Sequence, residues 1–323
     1  MSSIPLVSVI CLCYNQKDFV TESINSILKQ SYQQIEIIII DDASTDNSAE
    51  IIRKFLIDQP EITFIPLKKN LGNCAAFNKG LDLAKGKYVI DLAADDLLIP
   101  DRIENQVNIF ENLSEDYAVV FSDAILIDKS GNKLKTFYKR DEKGKLIQHV
   151  PSGDIYKELI KKMIICSPTM MMRKKVLDEL GGYDATLSYE DYDFWVRSGR
   201  KYKYYYINEI LTKKRVLSGS QRTKFYSIKL NLHLISTLQI CKKAKNLNVN
   251  SEEDDALSVS VSYHLKLAFL TENFEICASF YHFLNSFHKP DWKDILFYRL
   301  SLARVRVNLI YCWYLKNVRK LKI

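Results

Sequence analysis

The sequence predicts an α/β fold, with a parallel sheet and helical crossovers in its first third and a wholly helical region over its last hundred residues. Three observations predict it. Continuous apolar runs at 7–12, 35–40, 62–65 and 88–92 read as strands buried on both faces. Helical periodicity over 19–29, 47–57 and 73–84 separates them. Beyond about residue 225 the strand signals stop, and helical patterns continue over 225–246, 255–270, 273–287 and 291–320.

Between these regions the pattern changes. Residues 118–138 read as a hairpin about the turn 129–132, followed by a polar, Lys-rich mobile loop at 139–151. A strand is expected at 169–172, a short helix ending at Gly181-Gly182, a helix at 191–200 and extended chain over 202–216. The SEEDD run at 251–255 reads as a solvated linker and helix start. No internal repeat or low-complexity segment is evident.

Composition sets bounds on function. With 323 residues, 47% hydrophobic and 26% charged, the chain is long and apolar enough to build a sizeable core. The net charge of +7 is uneven, acids gathering in the first two hundred residues and bases near the C-terminus. That asymmetry points to an anionic surface or ligand, and no nucleic-acid partner is expected. Cys11, Cys13, Cys74, Cys166, Cys241, Cys277 and Cys312 are odd in number and form no CxxC pair, which fits a reducing cytoplasm better than a disulfide framework. The apolar N-terminus lacks a basic flank and reads as a buried strand rather than a signal peptide. No run reaches the ~18 apolar residues of a membrane span.

Ligands of parallel sheets bind beyond the carboxyl ends of the strands, and polar residues gather there. Tyr14-Asn15 follow the first strand, Asp41-Asp42 the second, and Asp95-Asp96 the strand at 88–92. The adjacent carboxylates Asp95 and Asp96 suit a hard divalent cation, which takes one or two carboxylates plus phosphate oxygens. The same pair also suits a plain turn before a helix opened by Pro100. A carboxylate of the pair Asp41-Asp42 can accept an N–H from a pyrimidine base edge, or the pair can serve with Ser44, Thr45 and Asp46 in capping the next helix. Glu190-Asp191 enter a helix in an aromatic setting, which suits either a tuned general base or a capped helix with Trp195 in the core. CYNQKDF follows the first strand where a dinucleotide site would carry GxGxxG, which argues against a dehydrogenase.

Taken in order, IPLVSVICLCYNQKDF with IIIIDDASTDNS, then NLGNCAAFNKG with YVIDLAADDLLIPDR, then GGYDATLSYEDYDFWVR closely resemble family 2 of the inverting glycosyltransferases, which have the GT-A fold, a Rossmann-like mixed sheet flanked by helices. The resemblance covers about residues 5–220. It implies a catalytic domain at 1–222, with a nucleotide-binding part to about 115 and an acceptor part over 116–222, followed by a helical region at 223–323. By position it implies that Tyr14 and Asp42 contact the base, with Asn15 beside them. Asn70, Gly72 and Asn78 match the segment over the nucleotide-sugar. Asp95 and Asp96 match the residues that contact ribose, Mn²⁺ or Mg²⁺, and diphosphate. Asp191 matches the catalytic base and Glu190 its neighbour toward the acceptor. The implied donor is a nucleotide-diphosphate sugar, with uridine as the base, and the implied acceptor a saccharide or lipid-linked saccharide in surface polysaccharide synthesis.

Two departures stand out. Ala93 occupies a position that is Asp in many members, and Leu217 lies near a position that is often His. Lys213, Lys214, Arg215 and Arg222 offer charge to offset the diphosphate, or form a solvated basic face. No QxxRW motif occurs, which points away from processive synthases. A non-catalytic nucleotide-sugar-binding or scaffold subunit remains the alternative. At the end of the chain, residues 291–323 mix Trp, Tyr and Leu with eight Arg and Lys, among them Arg304, Arg306, Lys316, Arg319, Lys320 and Lys322. Such a segment suits peripheral attachment to the cytosolic face of a membrane, or packing on the catalytic domain or a partner.

Overall fold

The computed structural model describes residues 4–217, 226 and 231–318. The chain divides into two compact units. One takes in Met1–Ile155, Ile165–Thr186 and Lys201–Val216, the other Tyr156–Ile164, Leu187–Arg200 and Leu217–Ile323. Arg222 lies outside the described residues.

The first unit is built on β1 (Val7–Cys13). Its sequence, VSVICLC, is rich in β-branched residues, and all seven positions are buried. β2 (Ile35–Asp41) and β4 (Tyr88–Ala93) flank β1 in parallel, and β3 (Thr63–Pro66) extends β2. α1 (Val20–Leu28), α2 (Ser48–Phe55) and α3 (Asn73–Leu81) are the crossovers. On α1 the buried positions Val20, Ser23, Ile24 and Ile27 follow the helical repeat, so one stripe faces the core. That core includes Val9, Cys11, Ile24, Ile39, Ile90, Leu92 and Phe110.

Beyond β4 the sheet becomes mixed. The remaining strands are β5 (Leu97–Leu98), β6 (Tyr117–Ile127), β7 (Lys133–Thr136), β8 (Met171–Arg173) and β9 (Lys203–Arg215). The order is β3-β2-β1-β4-β8-β6-β9-β5, with β7 hairpinned onto β6. β8 runs antiparallel to β4 and β6, whereas β6 and β9 are parallel. The two-residue β5, which the apolar pattern did not reveal, pairs Leu97 with Lys213 and Leu98 with Thr212. α4 (Arg102–Asn112) follows, and its Arg102 is wholly buried, donating to Gln106 Oε1, Thr212 Oγ1 and the Met170 carbonyl at 3.0–3.1 Å.

The polar stretch at 139–151 has more structure than its composition predicts. Arg140 bridges Leu146 through the backbone, and its Nε donates at 2.7 Å to the buried carboxylate of Asp123. After the short α6 (Lys174–Glu179), Gly181 and Gly182 both take positive φ. A Cβ on Gly182 would lie 2.5 Å from Asn78 Oδ1, so the close approach demands glycine there.

The second unit is helical. It contains α5 (Tyr156–Lys161), α7 (Asp191–Gly199), α8 (Leu232–Leu247), α9 (Ser251–Leu270), α10 (Phe274–Asn285), α11 (Trp292–Leu302) and α12 (Asn308–Asn317). Two expectations are corrected here. The SEEDD run, expected as linker and helix start, is a helix start throughout: it forms the first turn of α9, capped by the Asn250 side chain, with Glu252, Glu253 and Asp254 placed where a helix dipole favours acids. The single helix expected over 291–320 is two helices. α11 opens with a capping box between Asp291 and Asp294, and the chain breaks after it at Arg304, which takes φ +50°. Among the described residues no helix is long and apolar enough to cross a membrane. All seven cysteines are free thiols and six are buried.

Candidate functional site

Register places three strand ends on one edge of the sheet. Cys13 pairs with Asp41 across β1 and β2, and Leu12 pairs with Ala93 across β1 and β4. Tyr14-Asn15, Asp42 and Asp95-Asp96 therefore leave the sheet at one rim.

The first two loops are stitched together. The Asn15 N–H donates to Ser44 Oγ, and Asn15 Oδ1 accepts the Thr45 N–H at 2.8 Å. Gln16 and Lys17 donate backbone N–H to Ser48 Oγ and Asp46 Oδ2 at 3.0 Å. Asn15, Ala43 and Asn47 all take positive φ. For Ala43, whose Cβ crowds that conformation, this costs roughly 1 kcal/mol. Tyr14 stands out from this frame and is 49% exposed.

Asp42 organises the next segment. Its two carboxylate oxygens accept the N–H groups of Leu71 and Gly72 at 2.7 and 2.9 Å, and Asn70 Nδ2 donates to its carbonyl at 3.2 Å. Asp41, paired with Asp42 in the sequence but given no role by the family resemblance, differs. Its Oδ2 accepts the Ser44 N–H, whereas its Oδ1 is buried with no hydrogen-bond partner among the described residues. Only a three-dimensional structure shows which of two neighbouring carboxylates is left with an open acceptor. Asn78 lies farther back. Its amide exchanges two hydrogen bonds with the backbone of Tyr183, at 2.8 and 2.9 Å, and Phe77 stacks on the Tyr183 ring.

The acidic pair sits in the turn between β4 and β5. Asp96 is 4% exposed and its Oδ1 accepts the Arg215 N–H at 2.8 Å. Burial, then the charge of Asp95, pushes the Asp96 carboxyl up to about 7. Burial also raises Asp95, although a hydrogen bond from Gln16 and the charges of Lys214 and Arg215 pull the other way. Two adjacent carboxylates with more negative charge than their surroundings neutralise are a hard-oxygen donor set for a divalent cation. Among the described residues no cluster of three or more His, Cys, Asp or Glu forms a complete cage. Mg²⁺ and Mn²⁺ do not need one, since phosphate oxygens and water commonly fill their remaining positions. The carboxylate oxygens of Asp95 and Asp96 fit the chemistry of such an ion.

Glu190 and Asp191 belong to the helical unit. Glu190 is the N-cap residue of α7, and Asp191 Oδ1 accepts the Tyr192 N–H at 2.7 Å. α8 holds the approach to this helix. Ser236 Oγ accepts the Ser188 N–H at 2.9 Å, and the Tyr189 and Thr237 hydroxyls meet at 2.6 Å. Two residues further on, the buried carboxylate of Asp193 is paired with Arg197 and Lys243, both at 2.7 Å.

The raised Asp96 carboxyl sets a sign for pH. A native value near 7 against an ordinary value of 3.8 means that the folded chain keeps a proton which the unfolded chain releases. Stability of the metal-free protein is thus lost between about pH 4 and 7 and stays lost above. Asp96→Asn retains the Oδ1 acceptor without the charge. In EDTA its melting temperature should rise above that of wild type as pH increases across this window, and a gap independent of pH would refute the assignment.

The Glycosyl transferase family 2 profile matches residues 8–181. An uncharacterised glycosyltransferase of Methanocaldococcus jannaschii is 35% identical over 232 residues, which is 69% of this chain and 77% of that protein. TuaG of Bacillus subtilis, named as a teichuronic acid biosynthesis glycosyltransferase, is 29% identical over 67% of this chain and 81% of its own. Against two Rickettsia relatives the chain spans 64% of their length, just under two thirds. Among solved structures, Staphylococcus aureus TarS 1–349 in complex with UDP-GlcNAc superposes with a TM-score of 0.67 at 17% identity, over 95% of this chain and 92% of that one. The Pyrobaculum calidifontis mannosyltransferase PcManGT, in complex with GDP-Man and Mn²⁺, gives 0.59 at 16% identity, over 99% and 89%. The mixed sheet flanked by helices is the GT-A fold, and the chain belongs to glycosyltransferase family 2, which makes it a glycosyltransferase.

Proposed function

We propose that this enzyme is a metal-dependent, inverting transferase that moves a sugar from a nucleotide-diphosphate donor, with UDP as the nucleotide, to a hydroxyl of a saccharide or lipid-linked saccharide in surface polysaccharide synthesis. The observation that carries this reading is the acidic pair Asp95-Asp96, Asp96 buried and Asp95 half-buried, at a rim shared by three parallel strand ends, in a chain of this family. The relative named for teichuronic acid synthesis and the fold neighbour holding UDP-GlcNAc support the acceptor class and the donor.

In this reading Tyr14, Asn15, Asp42 and Asn70 frame the nucleoside, and the open Asp41 Oδ1 adds an acceptor at the same rim. Asn78 supports the donor segment from behind through Tyr183. A cation held by Asp95 and Asp96 would supply charge neutralisation for the departing diphosphate. Asp191 takes the proton of the acceptor hydroxyl, whose oxygen forms the bond to the anomeric carbon as the bond to the diphosphate breaks. Glu190 orients the acceptor. A single displacement turns an α-linked donor into a β-linked product.

Asp191→Asn, with donor binding intact by calorimetry, should lower turnover by about 10²–10⁴-fold; near-normal turnover would remove Asp191 as base. Transfer should stop in EDTA and return with Mn²⁺ or Mg²⁺, and full activity in chelator would exclude the metal.

We further propose that the C-terminal end attaches the enzyme to an anionic membrane surface on the cytosolic side. Leu309, Ile310 and Trp313 share one face of α12 and are 86%, 71% and 61% exposed, with the exposed Arg304 and Arg306 just before them. Large exposed apolar side chains beside bases match a helix lying in a lipid interface. The double variant Ile310→Ser, Trp313→Ser should float with phosphatidylglycerol vesicles about 10-fold less than wild type. Equal flotation would reject the attachment.

A further inference from the structure

Arg215, the last residue of β9, was expected to offset diphosphate charge. Its side chain is 2% exposed and its donors point to protein oxygens. Nε donates to the Asp95 carbonyl at 3.1 Å. Nη1 donates to the carbonyls of Asp128 and Lys129, at 3.1 and 2.9 Å, in the β6–β7 turn. Nη2 donates to Glu22 Oε2 on the first turn of α1 at 2.7 Å. The guanidinium carbon lies 4.6 Å from the centre of the Phe19 ring. The backbone N–H of the same residue reaches Asp96 Oδ1. One planar fork thus ties the acidic turn to a hairpin turn and to a helix, and does so from behind, through a carbonyl rather than the carboxylates.

We infer that Arg215 is a positioning residue, holding the Asp95-Asp96 turn in the geometry in which its two carboxylates take a divalent cation. The inference rests on the reading of that pair as cation ligands. Lysine keeps the charge, but its single ammonium cannot reach acceptors on three segments at once, so the exchange separates geometry from charge. Glu22 anchors only the far end of the fork, and its side chain is 57% exposed, so Glu22→Gln spares the core while loosening that anchor.

The test is direct binding of Mn²⁺ alone to the full chain, read by electron paramagnetic resonance of the free ion, with thermal melts in EDTA alongside. Wild type should bind. Arg215→Lys should weaken binding about 10-fold or more, as loss of a residue that orients metal ligands does, and Glu22→Gln about 3-fold. Arg215→Lys that melts cooperatively and binds Mn²⁺ as wild type does would make the fork a stability strut and overturn the inference. If Arg215→Lys fails to fold, unchanged Mn²⁺ affinity in Glu22→Gln overturns it equally. Wild type that binds no Mn²⁺ would instead sink the ligand reading of Asp95 and Asp96, and this inference with it.

Discussion

Two adjacent carboxylates, one buried and one half-buried, repel each other, and the groups around their turn are arranged against that repulsion. Asp95 and Asp96 sit in a turn with little solvent to screen them, and burial is the largest force acting on each. The surroundings soften the conflict without abolishing it. A backbone N–H meets Asp96, Gln16 reaches Asp95, and the charges of Lys214 and Arg215 stand near. A fold that leaves negative charge partly unneutralised accepts a loss of stability for it, and such unresolved local conflicts are characteristic of functional sites.

The sheet determines where the conflict is placed. Because β1 lies between β2 and β4 with parallel register, the chain turns away from all three at the same edge. The loops there are cross-linked more densely than their composition suggests. Asn15, Ser44, Asp46 and Ser48 pair one loop with the next, and Asp42 fastens a third. Polar side chains bonded to one another's backbones make a rigid rim, and rigidity there keeps a ligand from bearing the entropy of ordering it.

Much of this architecture was legible in the sequence, because hydrophobic periodicity reports burial and burial dictates the sheet. The strands β1, β2 and β4, the crossovers between them and the polar strand ends all follow from runs such as VSVICLC and IEIIIID. What escaped was whatever depends on partners remote in sequence. β5 is two residues long and exists only through its pairing with β9. Asp41 and Asp42 are indistinguishable in a string of letters, yet one is satisfied by Leu71 and Gly72 while the other keeps an open oxygen. Arg215 read as a charge for the diphosphate or for a solvated face because nothing local announces that Glu22 and Asp128 lie within its reach. The break after α11 escaped because apolar and basic residues continue unbroken through it, with neither Gly nor Pro to mark the stop.

The pairing of Asp193 with Lys243 bears on how such enzymes diversify. α7 belongs with the helices that follow the sheet, fastened to α8 by an ion pair and by the contacts of Ser188 and Tyr189. Recombination that exchanged the last hundred residues at a single junction would leave a buried carboxylate with one of its two counter-charges missing. A new tail would have to bring its own cation to Asp193, or leave Arg197 as the remaining counter-charge of a buried carboxylate.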